Sequence, residues 1–270
     1  MTVPVRCILN GLQRSGTHLL EKAVRGLGVA PSGRAMMPER HEQFGPPSDA
    51  TDAIDIGLHR PRAASRRMVQ SWLAALPEGT SAMGHMPWSR AMADLVGAEA
   101  IRMVTIVRDP RDVVVSYMHH VAANIRGAHL ERYLSLSEPE RCLMWIRGKP
   151  GREHKSPRRS VRERSSLMLA WSGEPWNRMI RFERLVGAEG GGSDGDRREE
   201  VLAIADHLAI PCAESRAAAI GRGLFGGTAT FRRGMIGSWR QAFTPEVTQA
   251  FKAVAGTLLV ELGYERDLSW

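Results

Sequence analysis

The chain has 270 residues, a formal net charge of +8 and three cysteines. The length suits one α/β domain or two small ones and is ample for a hydrophobic core. No apolar run approaches about 18 residues, which excludes a membrane-spanning helix, and the first residues lack the basic region and apolar stretch of a secretory signal. Cys7, Cys142 and Cys212 are odd in number, scattered and without metal-ligand spacing. They are expected to be free thiols of a reducing cytoplasm. The positive charge favours anionic ligands without choosing among nucleic acid, acidic membrane and a small polyanion.

Val3 to Leu9 reads as a short buried strand, and Thr17 to about Leu27 as an amphipathic helix. Between them lies Gly11-Leu12-Gln13-Arg14-Ser15-Gly16. Glycines at both ends let the backbone turn and approach a ligand closely. The amides of the helix's first turn then point at an anion, aided by the helix dipole. The glycine spacing is that of a nucleotide-binding P-loop, G-x-x-x-x-G-K-[ST]. Thr17, however, stands where that loop needs Lys, and His18 where it needs the Mg²⁺-binding hydroxyl. The loop's cation is Arg14.

Ala30 to Pro47 is rich in Pro, Gly and Arg and is expected to be a loop or lid, with Glu39, His41 and Glu42 in it. Ile54 to Leu58 alternates as a short strand does, and Ser65 to Leu76 has helical spacing that Pro77 ends. Thr80 to Met86 reads as a strand running into Gly84-His85-Met86-Pro87. A histidine fixed in a turn at the carboxyl end of a strand lies where open α/β sheets bind ligands. It suits a general base, and equally a partly buried ring bonded to backbone.

Ile101 to Val107 is the strongest strand in the sequence, continuous and β-branched. It runs into Arg108-Asp109-Pro110-Arg111-Asp112, where Asp109 suits a helix N-cap and Pro110 the first turn. Val113, Val114, Tyr117 and Val121 form the expected apolar face. Arg108 and Ser116, two turns apart, can converge on one anion. Asn124 to Leu143 reads as one or two short helices, and Gly148 to Ser166 as a basic, exposed run without aromatic residues to stack bases. A strand and turn follow at Arg178 to Val186, a Gly-rich linker at Gly187 to Asp196, and helices at Glu199 to Leu208 and Glu214 to Leu224. Phe231-Arg232-Arg233-Gly234 is a flexible basic clamp ahead of Gly237-Ser238-Trp239. A capped amphipathic helix from Thr244 to Leu262 closes the chain.

These motifs, in this order, resemble those of the sulfotransferases that use 3′-phosphoadenosine 5′-phosphosulfate (PAPS). Arg14-Ser15-Gly16-Thr17 is similar to the family's 5′-phosphosulfate loop, and His85-Met86-Pro87 to its His-x-Pro turn. Arg108 to Tyr117 is similar to its 3′-phosphate segment, Arg181-Phe182-Glu183-Arg184-Leu185 to its Arg-[Tyr/Phe]-Glu-Asp-Leu, and Arg232-Arg233-Gly234 to its Arg-Lys-Gly. The resemblance spans Val5 to Tyr264. Three departures stand out: Met83 replaces the Lys two residues before the histidine, Leu19 the aromatic residue after the loop, and Arg184 the Asp.

The resemblance implies one sulfotransferase domain over residues 1–270, a three-layer α/β/α fold with a central parallel sheet, and mobile loops near residues 30–50 and 148–166. It implies a cytoplasmic enzyme with His85 as base and Arg14 stabilising the leaving phosphate. Arg14, Ser15, Gly16, Thr17 and His18 would bind the 5′ end of PAPS. Arg108, Ser116 and Arg232 to Gly234, with Phe231 beside them, would bind its 3′-phosphate. Phe182 would lie near the adenine. No metal is implied. The expected partner is a small-molecule or carbohydrate acceptor, not nucleic acid or a membrane, and the chain a monomer or homodimer. An atypical P-loop kinase and a non-catalytic nucleotide- or polyanion-binding module remain as alternatives.

Overall fold

A computed structural model describes residues 5–36, 43–124, 126, 128–149, 157–227 and 231–270. Glu39, His41 and Glu42 lie outside the described residues. The chain divides into two compact units, Met1–Val107 with Leu167–Ile236 and Arg108–Ser166 with Gly237–Trp270.

The first unit opens with β1 (Cys7–Gly11), buried at every position, and α1 (Thr17–Gly26). Then come β2 (Ala30–Met36) and a small antiparallel hairpin, β3 (Ala53–Asp55) and β4 (Ala63–Ser65). Helix α2 (Arg66–Ala74) starts where Ser65 Oγ accepts from the Met68 amide. β5 (Thr80–Gly84), α3 (Arg90–Ala98) and β6 (Arg102–Val107) follow.

The second unit begins with α4 (Pro110–Asn124), α5 (Ala128–Leu134) and α6 (Glu138–Arg147). Ser137 and Glu140 form a capping box at the start of α6. After α7 (Val161–Leu169), the first unit resumes with β7 (Asn177–Arg181), α8 (Phe182–Leu185), α9 (Asp194–His207) and α10 (Glu214–Arg222). The second unit closes with α11 (Trp239–Ala242) and α12 (Pro245–Glu261), the latter capped by Thr244.

Five strands of the first unit form one parallel sheet in the order β2-β5-β1-β6-β7. With its flanking helices this is the expected α/β architecture. One core packs α1, α9 and α10 on the sheet, through Leu9, Leu20, Val24, Val104, Ile106, Val201 and Ile204.

Four expectations need correction. Ala30 to Met36 is not a loop but an edge strand on β5, irregular between Pro31 and Ala35. An exposed edge needs no apolar run and tolerates proline, so the pattern was hidden. Secondly, α4 buries Val113, Val114, Val115 and Met118, whereas Tyr117 and Val121 are only half-buried. Tyr117 sets its ring edge-on to Trp145, with centroids 4.4 Å apart. Thirdly, the basic run is not simply solvated. Its end is the first part of α7, where buried Arg164 donates through Nη2 to the Trp145 carbonyl at 2.6 Å and burial lowers its pKa to about 10. Residues 150–156 of that run lie outside the described residues. Finally, the Gly-rich linker gives way to α9 at Asp194, because Ser193 caps that helix ahead of Glu199.

Candidate functional site

β1 is the sheet's middle strand, with β5 on one side and β6 on the other. After β1 the chain fills one flank, and with β6 it crosses to the other. The carboxyl ends of β1 and β6 therefore mark the switch point where such sheets bind ligands. The loop Leu12 to Gly16 leaves from that point. A Cβ on Gly11 would lie 2.7 Å from Ser15 Oγ and 2.8 Å from the Ile106 carbonyl oxygen, so the loop closes only on glycine. Gly16 has φ +108°, and a Cβ there would lie 2.7 Å from the Phe182 ring.

Arg14 adopts φ 75°, a left-handed conformation that disfavours side chains other than glycine's. Such strain costs about 1–3 kcal/mol and is held by its surroundings. Ser15 is fully buried and turned inward. Its amide and its Oγ both donate to the Leu12 carbonyl, at 3.0 and 2.7 Å. Ser15 thus braces the loop, and its amide does not face an anion as expected. The amides of Gly16, Thr17 and His18, at the start of α1, are donors that a helix leaves without internal acceptors. The His18 ring lies 3.6 Å from Glu21.

β1 and β5 are in register with Asn10 opposite Gly84, which sets His85 beside Gly11. His85 Nδ1 lies 2.6 Å from the Gly11 carbonyl oxygen. A carbonyl only accepts, so Nδ1 carries a proton, and in the neutral ring the lone pair is on Nε2. The His85 amide donates to the Met36 carbonyl at 3.1 Å. Strand β2, absent from the sequence pattern, therefore helps to fix this histidine.

Phe182 is 4 % exposed and packs under Gly16 as part of the core. Stacking on adenine needs an open ring face, which that burial removes; its place is beneath the loop. Phe231, by contrast, is 40 % exposed and sits edge-on to Phe225, with centroids 5.2 Å apart. Lys22 of α1 donates to the carbonyls of Leu224 and Gly226, at 2.8 and 2.9 Å, and so ties that segment to the helix behind the loop. Arg232 and Arg233 are exposed, and Gly234 takes φ +64° against the Phe231 ring. Arg184 pairs with Asp196, Glu199 and Glu200 and pins α8 to α9.

In the second unit, buried Arg108 lies 3.5 Å from Asp112. Asp112 also accepts from the amides of Gly237 and Trp239, at 2.8 and 2.9 Å. Burial raises its pKa, while Arg108 and those amides pull it back. Asp109 accepts from the Arg111 amide at 2.9 Å, the expected cap. The Arg111 guanidinium is buried, paired with Asp109 and Glu265, and packs against the Trp239 and Trp270 rings, 3.9 and 4.5 Å from their centroids. Ser116 is half-buried on the same helix.

Sequence reasoning missed two residues. His59 Nε2 meets Gln13 Oε1 of the loop at 2.7 Å. Asn10 is fully buried in β1 and bonds to Met86. A polar residue inside an apolar strand was the available signal for the second; the first left none.

A sequence profile of the sulfotransferase domain matches residues 4–144, just over half of the chain. The chain belongs to the sulfotransferase family. No curated protein sequence matches it at a significant level. Among solved structures, mouse sulfotransferase SULT7A1 complexed with PAP is similar at TM-score 0.60 and 15 % identity, over 97 % of this chain and 87 % of that one. Retinol dehydratase in complex with androsterone and the inactive cofactor PAP is similar at TM-score 0.57 and 19 % identity, over 95 % and 81 %. At these identities the likeness establishes the fold, the one expected. Among the described residues, no group of three or more His, Cys, Asp or Glu is placed to hold a metal ion, and no helix is long and apolar enough to cross a membrane.

Proposed function

We propose that this sulfotransferase-family protein moves a sulfonyl group from PAPS to a hydroxyl or amine of a small-molecule or carbohydrate acceptor. The observation that carries the reading is the His85–Gly11 bond. It protonates Nδ1 and leaves Nε2 as the basic nitrogen, on a turn beside the first residue of the phosphate-type loop. A module that only binds nucleotides has no use for that arrangement, and the loop lacks the Lys and hydroxyl of a P-loop kinase.

The transfer is an in-line displacement at sulfur. His85 Nε2 takes the acceptor's proton as the new bond to sulfur forms. The bond from sulfur to the 5′-phosphate oxygen breaks, and its electrons stay on that oxygen. Arg14 and the amides of Gly16, Thr17 and His18 meet the developing charge. Met83, in register with Leu9, has no cation to offer the sulfonyl oxygens, which leaves that work to Arg14. Arg108, Ser116, Arg232, Arg233 and Gly234 are assigned to the 3′-phosphate on their sequence motifs. For the adenine, Phe231 replaces Phe182 as the aromatic contact, on the exposures of the two rings. The two PAP-bound structures support the donor, and their coverage of 95–97 % of this chain supports one sulfotransferase domain made of both units. Cys7 and Cys142, whose thiols burial raises to about 12, suit a cytoplasmic enzyme that makes no use of thiol chemistry.

Calorimetric titration with PAP, beside ATP and AMP, all in EDTA, tests the reading. Tight metal-free binding that requires the 3′-phosphate is the expected result. Failure of PAP to bind, or binding of ATP alone and only with Mg²⁺, overturns it.

A further inference from the structure

Asn10 sits fully buried in the middle strand of the sheet, between Leu9 and Gly11. On packing alone an aliphatic residue suits this place, because a buried amide is unfavourable unless it is hydrogen-bonded. The Asn10 amide is bonded, with Met86 as its main partner and a longer contact from Nδ2 to Met168 Sδ at 3.8 Å. Its Oδ1 accepts from the Met86 amide at 2.8 Å, and its Nδ2 donates to the Met86 carbonyl at 3.3 Å. The β1–β5 ladder ends with Asn10 opposite Gly84. Two residues further on, the Asn10 side chain takes over from the backbone as Met86's partner. Fully buried Trp171 adds a second donor to the Met86 carbonyl, through Nε1 at 2.8 Å.

His85 is thereby held from both sides in sequence, by the ladder at Gly84 and by the clamp at Met86. The ring it carries meets the carbonyl of Gly11, the residue next to Asn10. We propose that Asn10 is a positioning residue: by clamping the Met86 peptide groups it seats the His85 ring on Gly11 and so fixes the tautomer that leaves Nε2 as proton acceptor. This deepens the reading of His85 as the base and supplies what that reading needs, a ring nitrogen committed in advance. Asn10 touches no reacting atom and acts only through His85. Trp171 supports the same carbonyl.

The test is a long-range proton–nitrogen correlation spectrum of the whole chain labelled with ¹⁵N-histidine, in which His85→Gln identifies the His85 signals among nine histidines. In the unsubstituted protein, His85 is expected to show one tautomer with widely separated nitrogen shifts. Asn10→Val keeps a strand-forming residue and removes both bonds to Met86 together with the Met168 contact, so the two shifts should converge as the other tautomer becomes populated. In Asn10→Asp, burial favours the protonated acid, which again offers an acceptor and a donor; the separation should return. Trp171→Phe removes only the second donor and should cause a smaller convergence, which keeps the test alive if Asn10→Val fails to fold. Unchanged His85 shifts in folded Asn10→Val, or in Trp171→Phe, overturn the proposal. The spectrum needs neither donor nor acceptor. Turnover that survives His85→Ala would remove the base and leave the clamp standing, whereas unchanged shifts in Asn10→Val would remove the clamp and leave the base.

Discussion

The loop after β1 and the start of α4 are built from different materials. In the loop, backbone does the holding. Gly11 and Gly16 admit close approaches that a Cβ would block, Arg14 is bent into the left-handed region, and Ser15 spends both of its donors on Leu12. At the start of α4, side chains do the holding. Asp112 gathers Arg108 and two amides, and Asp109 with Glu265 fixes Arg111 against two indole rings. A backbone device is sensitive to steric bulk and indifferent to charge. A side-chain device is the reverse, because each buried charge relies on its neighbour. Substitutions should therefore separate the two.

The largest effect is expected at His85, the proposed base beside the backbone device. His85→Ala should lower turnover about 10²–10⁴-fold, the usual contribution of a general base, and leave PAP affinity within a few-fold in a calorimetric titration. A parallel loss of affinity would move His85 from the chemistry to the binding site. Next comes Arg14→Gly, which removes the charge and relieves the backbone. Turnover should fall about 10²–10³-fold. Urea unfolding should show unchanged stability or a gain of up to about 1 kcal/mol, because glycine accepts the φ of 75°. A loss of stability would mean that the Arg14 side chain, and not its backbone, holds the loop. In the side-chain device, Asp112→Ala takes an acceptor away from two half-buried amides and from the buried Arg108 guanidinium. It should cost about 2–3 kcal/mol in the same unfolding measurement. A cost below about 0.5 kcal/mol would show that water satisfies those groups and that the contrast between the two regions fails.

The parts of the fold that were legible share a cause. The loop glycines, the caps at Asp109 and Thr244, and the buried strand at β6 all leave local marks. Capping depends on residues three or four apart, and strand burial on a continuous apolar run. Strand β2 left no mark, because an edge strand that carries Pro31 and Gly33 has the composition of a loop. Arg184 could not be interpreted alone; its three carboxylates come from α9, twelve or more residues on.

By itself the sequence determined the order strand–loop–helix, the histidine at a strand end and the arginine at the start of α4. Each follows from backbone geometry within a few residues. Only the tertiary structure decided where the side chains spend their bonds. Ser15 turns inward, Phe182 lies beneath the loop, Arg111 enters a cage closed by Trp270, and Asn10 grips Met86 across 76 positions of sequence. A buried polar group must find its partner wherever the fold brings one, and that partner is set by the register of β1 on β5 and not by neighbours in the chain.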